Sequence, residues 1–253
     1  MIFYFSGCGN SKHVAEILAA QLNDHLIFIP EAARENHYNY ALSEGEQLGF
    51  VFPVYAWAPP RLVLDFIQQL QLASKPDYLY FACTCGDECG KTEKIFRKAV
   101  LKKGWDLSAC FSMKMPETYI GMAGFKLDPM EKAKKKIEAA EATMSRNIPR
   151  LRNKERFSEI DLGKAAWLKS YVINGSFNKY ATDDRKYHTT DQCISCGKCV
   201  EVCPLQNITL EDGRPKWNHH CTMCMACYHH CPTNAIQYGK GTKGKGQYYF
   251  GMV

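Results

Sequence analysis

The sequence predicts a doubly wound α/β sheet of five parallel strands followed by a small α+β domain organised by cysteine. Two observations carry this reading. Over residues 1–150, short β-prone apolar runs alternate with segments whose apolar residues recur at helical spacing, the pattern of parallel strands joined by crossover helices. Near the C-terminus one cysteine motif occurs twice. A length of 253 residues leaves room for one large domain and one small one, and 46% hydrophobic with 23% charged residues is ordinary for a globular chain.

The elements follow in order. Ile2–Phe5 is a continuous apolar strand, and Val14, Ile17, Leu18 and Leu22 form the stripe of the helix after it. Leu26–Ile29 and Leu48–Phe52 are the second and third strands, with a helix from about Pro60 to Leu70. Tyr78–Ala82 is the fourth, followed by a helix with Ile95, Phe96, Ala99 and Val100 on one face. Leu107, Ala109, Phe111 and Met113 alternate with polar or small residues, as an edge strand should. Asp128-Pro129 reads as N-cap and first residue of a helix with Met130, Ala133, Ile137, Ala140 and Met144 as its stripe. The division expected is residues 1–150 for the α/β domain, 151–183 for a helical linker, 184–241 for the cysteine domain and 242–253 for a flexible tail.

The cysteine motif is the most specific signal. Cys193, Cys196, Cys199 and Cys203-Pro204 are spaced C-x2-C-x2-C-x3-C-P, and Cys221, Cys224, Cys227 and Cys231-Pro232 repeat that spacing 28 residues later. This is the thiolate spacing of a bacterial ferredoxin holding two [4Fe-4S] clusters, in which the fourth cysteine of each run serves the other cluster. One cluster is therefore expected on Cys193, Cys196, Cys199 and Cys231, the second on Cys221, Cys224, Cys227 and Cys203. Asp212-Gly213 is a hairpin signal between the halves. Two zinc sites are the alternative, but structural zinc usually lacks the third cysteine and the closing Cys-Pro. With the ligands found, most of His188, His219, His220, His229 and His230 are expected at the surface.

Three loops fall at the carboxyl ends of the predicted strands, where doubly wound sheets bind ligands. Ser6-Gly7-Cys8-Gly9-Asn10-Ser11 is small and polar, and the helix after it offers free N–H groups to an anion. It is neither a Walker A loop nor a dinucleotide fingerprint. Pro53 to Pro60 carries Tyr55 and Trp57, aromatics suited to stacking on a flat ring, with Ala56 between them. Thr84-Cys85-Gly86-Asp87-Glu88-Cys89-Gly90 offers backbone to edge that ring.

The first loop resembles the phosphate loop of flavodoxins, commonly S-x-T-G-N-[ST], and the loop order is also flavodoxin-like. The whole chain looks like the two-domain flavodoxin–ferredoxin fusions of anaerobic bacteria, over roughly residues 1–125 and 185–240, and Met115–Ile120 looks like a family segment near the flavin. The resemblance implies flavin mononucleotide (FMN): Ser6, Gly9, Asn10 and Ser11 on its phosphate, Pro53, Tyr55, Ala56 and Trp57 on one side of the ring, and Thr84, Cys85, Gly86, Asp87 and Tyr119 around the rest. Asp87 and Glu88 would push its potential down. Cys8 stands where the family commonly has threonine; a thiol is a weaker donor, and at a helix N-terminus it is a candidate oxidisable sensor. Cys85 and Cys89 read as buried small apolar residues, with a disulfide or a flavin-adjacent thiol as the alternative.

The functional expectation is intramolecular electron transfer between FMN and two [4Fe-4S] clusters, a redox carrier of anaerobic-type metabolism with an unidentified partner protein. A flavin-dependent reductase of a quinone or nitro compound is the alternative, and no residue is singled out as catalytic. The formal charge of +6 falls to roughly +2 once each thiolate-bound cluster contributes about −2, so composition gives no nucleic-acid signature. Arg146, Arg150, Arg152, Lys154 and Arg156 read as a solvated face. No nicotinamide fingerprint and no membrane-length apolar run is present. Thiol-rich composition without a signal peptide points to the cytoplasm.

Overall fold

A computed structural model describes residues 1–122 and 124–252. Six strands, β1 (Ile2–Tyr4), β2 (Leu26–Phe28), β3 (Leu48–Pro53), β4 (Leu79–Cys85), β5 (Ala109–Lys114) and β6 (Phe157–Glu159), form one sheet in the order β2-β1-β3-β4-β5-β6. Every neighbouring pair is parallel. Helices α1 (Asn10–Leu22), α2 (Arg61–Gln69), α3 (Thr92–Leu101) and α4 (Met130–Arg152) cover both faces. Alternation along the strands divides the core. Phe3, Phe50, Phe52 and Phe81 meet Phe66 of α2 and Phe96 of α3, while Ile2, Val51, Tyr80 and Ala82 meet Leu18 of α1 and Met144 of α4. Burial on both faces explains why these strands read as continuous apolar runs.

Three expectations are corrected. The sheet has six strands, and β5 is not its edge: the chain returns after α4, and Phe157 pairs with Ala109. Phe-Ser-Glu is too short and polar to show a strand period. Helix α4 begins at Met130 with Pro129 in the cap position. Asp128 accepts the Glu117 N–H at 3.0 Å and pairs with Lys132 at 2.7 Å and Lys136 at 2.5 Å, while Met130 is exposed. The basic run is the solvated face expected, on the end of α4 and the loop after it; Arg146 and Arg150 meet Glu159, Arg156 meets Asp106, and Arg152 donates to the Gln21 carbonyl.

Residues 166–181 form a helical run with π-type turns at Lys169–Ile173 and Phe177–Ala181. Ser170 is its buried anchor, accepting from the Lys91 N–H and donating to the Trp57 carbonyl, both at 2.7 Å. The cysteine domain contains two antiparallel pairs, β7 (Tyr187–Thr189) with β10 (Ile236–Tyr238) and β8 (Ile208–Glu211) with β9 (Arg214–Trp217). Asp212 and Gly213, at φ 48° and 76°, make the expected turn between β8 and β9.

The tail is packed rather than loose. Tyr248 is buried and donates to Asn10 Oδ1 at 2.9 Å. The Phe250 N–H donates to the Cys8 carbonyl at 2.8 Å, and its ring stacks on His13 at 4.1 Å. Three aromatics, Tyr248, Tyr249 and Phe250, give this segment apolar surface to bury, which its lysines and glycines obscure. Among the described residues no helix is long and apolar enough to cross a membrane.

Candidate functional site

The two cysteine runs fold alike at the level of the backbone. Ser195 and its counterpart Met223 have φ 56° and 59°, Gly197 and Met225 74° and 59°, and Gln206 and Asn234 50° and 51°. Left-handed φ costs a non-glycine residue on the order of 1 kcal/mol or more, so its repetition marks a shared demand. The N–H groups that result face sulfur. Met223 N–H donates to Cys221 at 3.2 Å, Asn207 N–H to Cys203 and Ala235 N–H to Cys231, each at 3.3 Å. Such donors stabilise thiolate, the form a cluster needs.

Cys193, Cys196, Cys199 and Cys231 line one void. Cys227 has Cys221 and Cys203 beside it, and burial and then their charge raise its pKa. The structure thus brings the fourth cysteine of each run to the other run. Among the described residues no three His, Cys, Asp or Glu side chains converge on a single-ion site. Of the five nearby histidines, His229 is not at the surface. It is 1% exposed, bonds to the Thr118 carbonyl through Nε2 at 2.8 Å and accepts the Tyr248 N–H at Nδ1. Burial pulls its pKa down to about 4.

The loops after β1, β3 and β4 converge. A cleft of about 750 Å³ is lined by Tyr55, Ala56, Trp57, Cys85, Gly86, Asp87 and Tyr119. It shares Tyr55, Cys85, Gly86 and Tyr119 with a smaller hollow among Ser6, Cys8, Asn10, Ser11, Pro53 and Thr84. Gly9 lines neither; a Cβ there would lie 2.7 Å from Phe250. The residues fit a flavin. Tyr119 Oη is buried without a partner, Gly86 leaves no room for a Cβ beside the Glu117 carboxylate, and α1 leaves the N–H groups of its first turn for an anion.

Several side chains expected on the phosphate are turned into the protein. Ser11 Oγ bonds Thr84 Oγ1 at 2.7 Å, Asn10 Nδ2 donates to the Pro116 carbonyl at 2.9 Å, and Ser6 Oγ accepts the Gly9 N–H at 3.1 Å. Anion binding falls to the backbone. Cys8 Sγ points to the Cys224 carbonyl at 3.3 Å, and burial pushes its thiol up to about 12, against a sensor role. The acidic pair beside the ring is also muted: Glu88 is paired with Lys169 and the Lys164 N–H, and Asp87 is exposed near Lys114. Glu117 is the half-buried acid here, raised by desolvation against the N–H bonds of Tyr119 and Thr118.

The residue that sequence reasoning assigned to one role and the structure places in two is Cys224. It lines both the cleft and the hollow. Gly7 packs on it so closely that a Cβ would lie 2.6 Å from the Cys224 Cβ. Cysteine spacing identifies Cys224 as a ligand, but nothing linear in the chain sets it against residue 7. Phe177 and Tyr180 of the helical run also line the cleft; that run carries no motif.

The comparisons agree with this geometry. A family model described as "Flavodoxin domain" matches residues 1–118, and one described as "4Fe-4S dicluster domain" matches residues 172–236. The formate dehydrogenase-O iron-sulfur subunit of Escherichia coli K12 is 32% identical over 83 residues, covering 28% of this chain and 26% of that protein. The chain thus spans about a quarter of that relative's length. An uncharacterized ferredoxin of Methanocaldococcus jannaschii is 39% identical over 51 residues, covering 18% of this chain and 66% of it. Among solved structures, a flavodoxin of Streptococcus pneumoniae TIGR4 aligns at 15% identity and a TM-score of 0.34, covering 56% of this chain and 97% of that one. The chain is a flavodoxin domain joined to a 4Fe-4S dicluster domain, a flavodoxin–ferredoxin fusion.

Proposed function

We propose that this protein moves electrons within one chain between FMN and two [4Fe-4S] clusters. The iron–sulfur centres exchange single electrons and the flavin exchanges one or two, so the pair converts between the two regimes. Ser6 to Ser11 and the first turn of α1 hold the phosphate through backbone N–H groups. Tyr55 and Trp57 wall the ring, and Tyr119 Oη supplies a donor. Cys193, Cys196, Cys199 and Cys231 hold one cluster and Cys221, Cys224, Cys227 and Cys203 the other.

The observation that carries this reading is the double placement of Cys224, a cluster ligand in the wall of the flavin cleft. The exposed end of the route is equally defined: Cys196 is exposed and the neighbouring Ile194 is 63% exposed, where a partner protein can reach the first cluster. Covalent linkage of the two domains raises their effective concentration and removes an encounter step. The test is an anaerobic preparation assayed for iron, sulfide and FMN. Eight iron and eight sulfide per flavin, on the order that two cubanes require, supports the reading; an iron-free chain that takes up no FMN on reconstitution defeats it.

The reductase alternative has its own support, because the cleft extends beyond the flavodoxin loops to Phe177, Tyr180 and Lys186. Turnover of quinone or nitro acceptors above the rate of free FMN decides it.

A further inference from the structure

Cys83, Cys85 and Cys89 take no part in either cofactor's primary ligation, yet the fold gathers them at the flavin cleft. Cys83 and Cys85 are two apart on β4 and so point to the same face. Cys89 lies on the loop that turns back over them, with its Sγ 3.9 Å from Cys83 Sγ. All three are buried, and only Cys85 reaches the wall of the cleft. Cys89 is held in place from both sides: its N–H donates to the Asp161 carbonyl at 2.8 Å, and its carbonyl accepts from Thr92 Oγ1 at 2.7 Å. Packing alone would be met by alanine or valine here, without sulfur-to-sulfur contact.

We infer that Cys89 and the strand cysteines Cys83 and Cys85 form a dithiol/disulfide couple that exchanges an electron pair with the flavin. This rests on the FMN reading of the cleft. In the oxidative direction two S–H bonds break and one S–S bond forms. Both electrons and one proton pass to the oxidised isoalloxazine, and the second proton leaves to solvent. Cys89 stands against Cys83, and Cys85, next on the same face of β4, is the member of the group that reaches the cleft. Cys83 Sγ and Cys89 Sγ stand in hydrogen-bond contact, and either thiol can donate; apposed thiols, one of which gives up its proton, are the arrangement from which disulfides form and exchange. Closing the 3.9 Å gap to a bond of about 2.05 Å asks for side-chain rotation. The couple would give the flavin a two-electron reservoir beside the one-electron clusters.

The test is mass spectrometry on the cofactor-loaded wild-type protein, poised anaerobically in oxidised and dithionite-reduced forms, acid-quenched and alkylated. One tryptic peptide ending at Lys91 carries all three cysteines. The expectation is a peptide two hydrogens lighter, with one free thiol, in the oxidised sample and three alkylated thiols in the reduced one. Cys89→Ser should abolish the light form and lower reductive uptake by two electrons per chain at unchanged flavin and iron content. Flavin content is read in the same samples. A flavin-loaded oxidised protein whose three thiols all alkylate overturns the couple and leaves the electron-transfer reading standing. A chain that binds no FMN overturns both.

Discussion

Tyr119 shows how a single side chain reports on the site. Its hydroxyl is buried with no partner, which costs on the order of 1–3 kcal/mol unless a ligand supplies one. Tyr119→Phe should therefore weaken FMN binding by about tenfold, near 1.4 kcal/mol, while leaving the melting temperature of the FMN-free protein unchanged or higher; titration of flavin fluorescence and a thermal melt check both. Asp128 supports the same region from behind, through Lys136, whose Nζ also donates to the Gly86 carbonyl at 2.7 Å. Burial alone would raise its carboxyl; Lys132, Lys136 and the Glu117 N–H outweigh that and lower it below 3.8. A depressed carboxylate stabilises the fold above its unfolded value and loses that contribution as pH falls through the folded one. Asp128→Asn should cost about 2 kcal/mol at neutral pH. Denaturant titrations of both proteins should show the difference narrowing as pH drops below 3.8, the unperturbed aspartate value. At this scale the sequence was legible where chemistry fixes spacing, as in the eight cysteines, and silent where partners are remote. Nothing near Asn10 or Ser11 announces Pro116, Tyr248 and Thr84 as their partners.

Elements divide in the same way. The alternation of apolar runs located β1 to β5 and the four covering helices, because strands buried on both faces must be apolar throughout. It missed β6, whose three residues owe their place to pairing with Ala109 to Phe111, and it left the C-terminal segment as a loose end. That segment holds the phosphate loop through the Phe250 N–H and the Tyr248 hydroxyl. Tyr248→Phe should destabilise the docked state by about 1 kcal/mol, seen as faster amide exchange in residues 6–12. The junction between elements is open to a cleaner substitution. Gly7 does not have a positive φ, so alanine suits its backbone, but the added methyl would meet Cys224 at 2.6 Å. Gly7→Ala should retain flavin and iron while forcing the two loops apart, slowing transfer between the cofactors by tenfold or more; an unchanged rate with full cofactor content would show that this contact is not on the route.

For the whole molecule, one cysteine loop carries the exposed Cys196, and the other shares Cys224 with the flavin cleft. The cysteine domain has a small core of Tyr187, Trp217, Met223, Tyr228 and Tyr238 around its sulfurs. Its fold depends on metal as small cysteine-rich domains do, so chelation of iron should unfold residues 184–241 and leave the six-stranded sheet in place, read as separate transitions by circular dichroism. The most direct test of the account is rapid anaerobic mixing of the fully loaded protein with a one-electron donor, following cluster and flavin absorbance together over a range of protein concentrations. Transfer between cluster and flavin should be first order, with a rate independent of concentration. A rate that rises in proportion to protein concentration, or clusters that stay reduced beside an oxidised flavin, would contradict it.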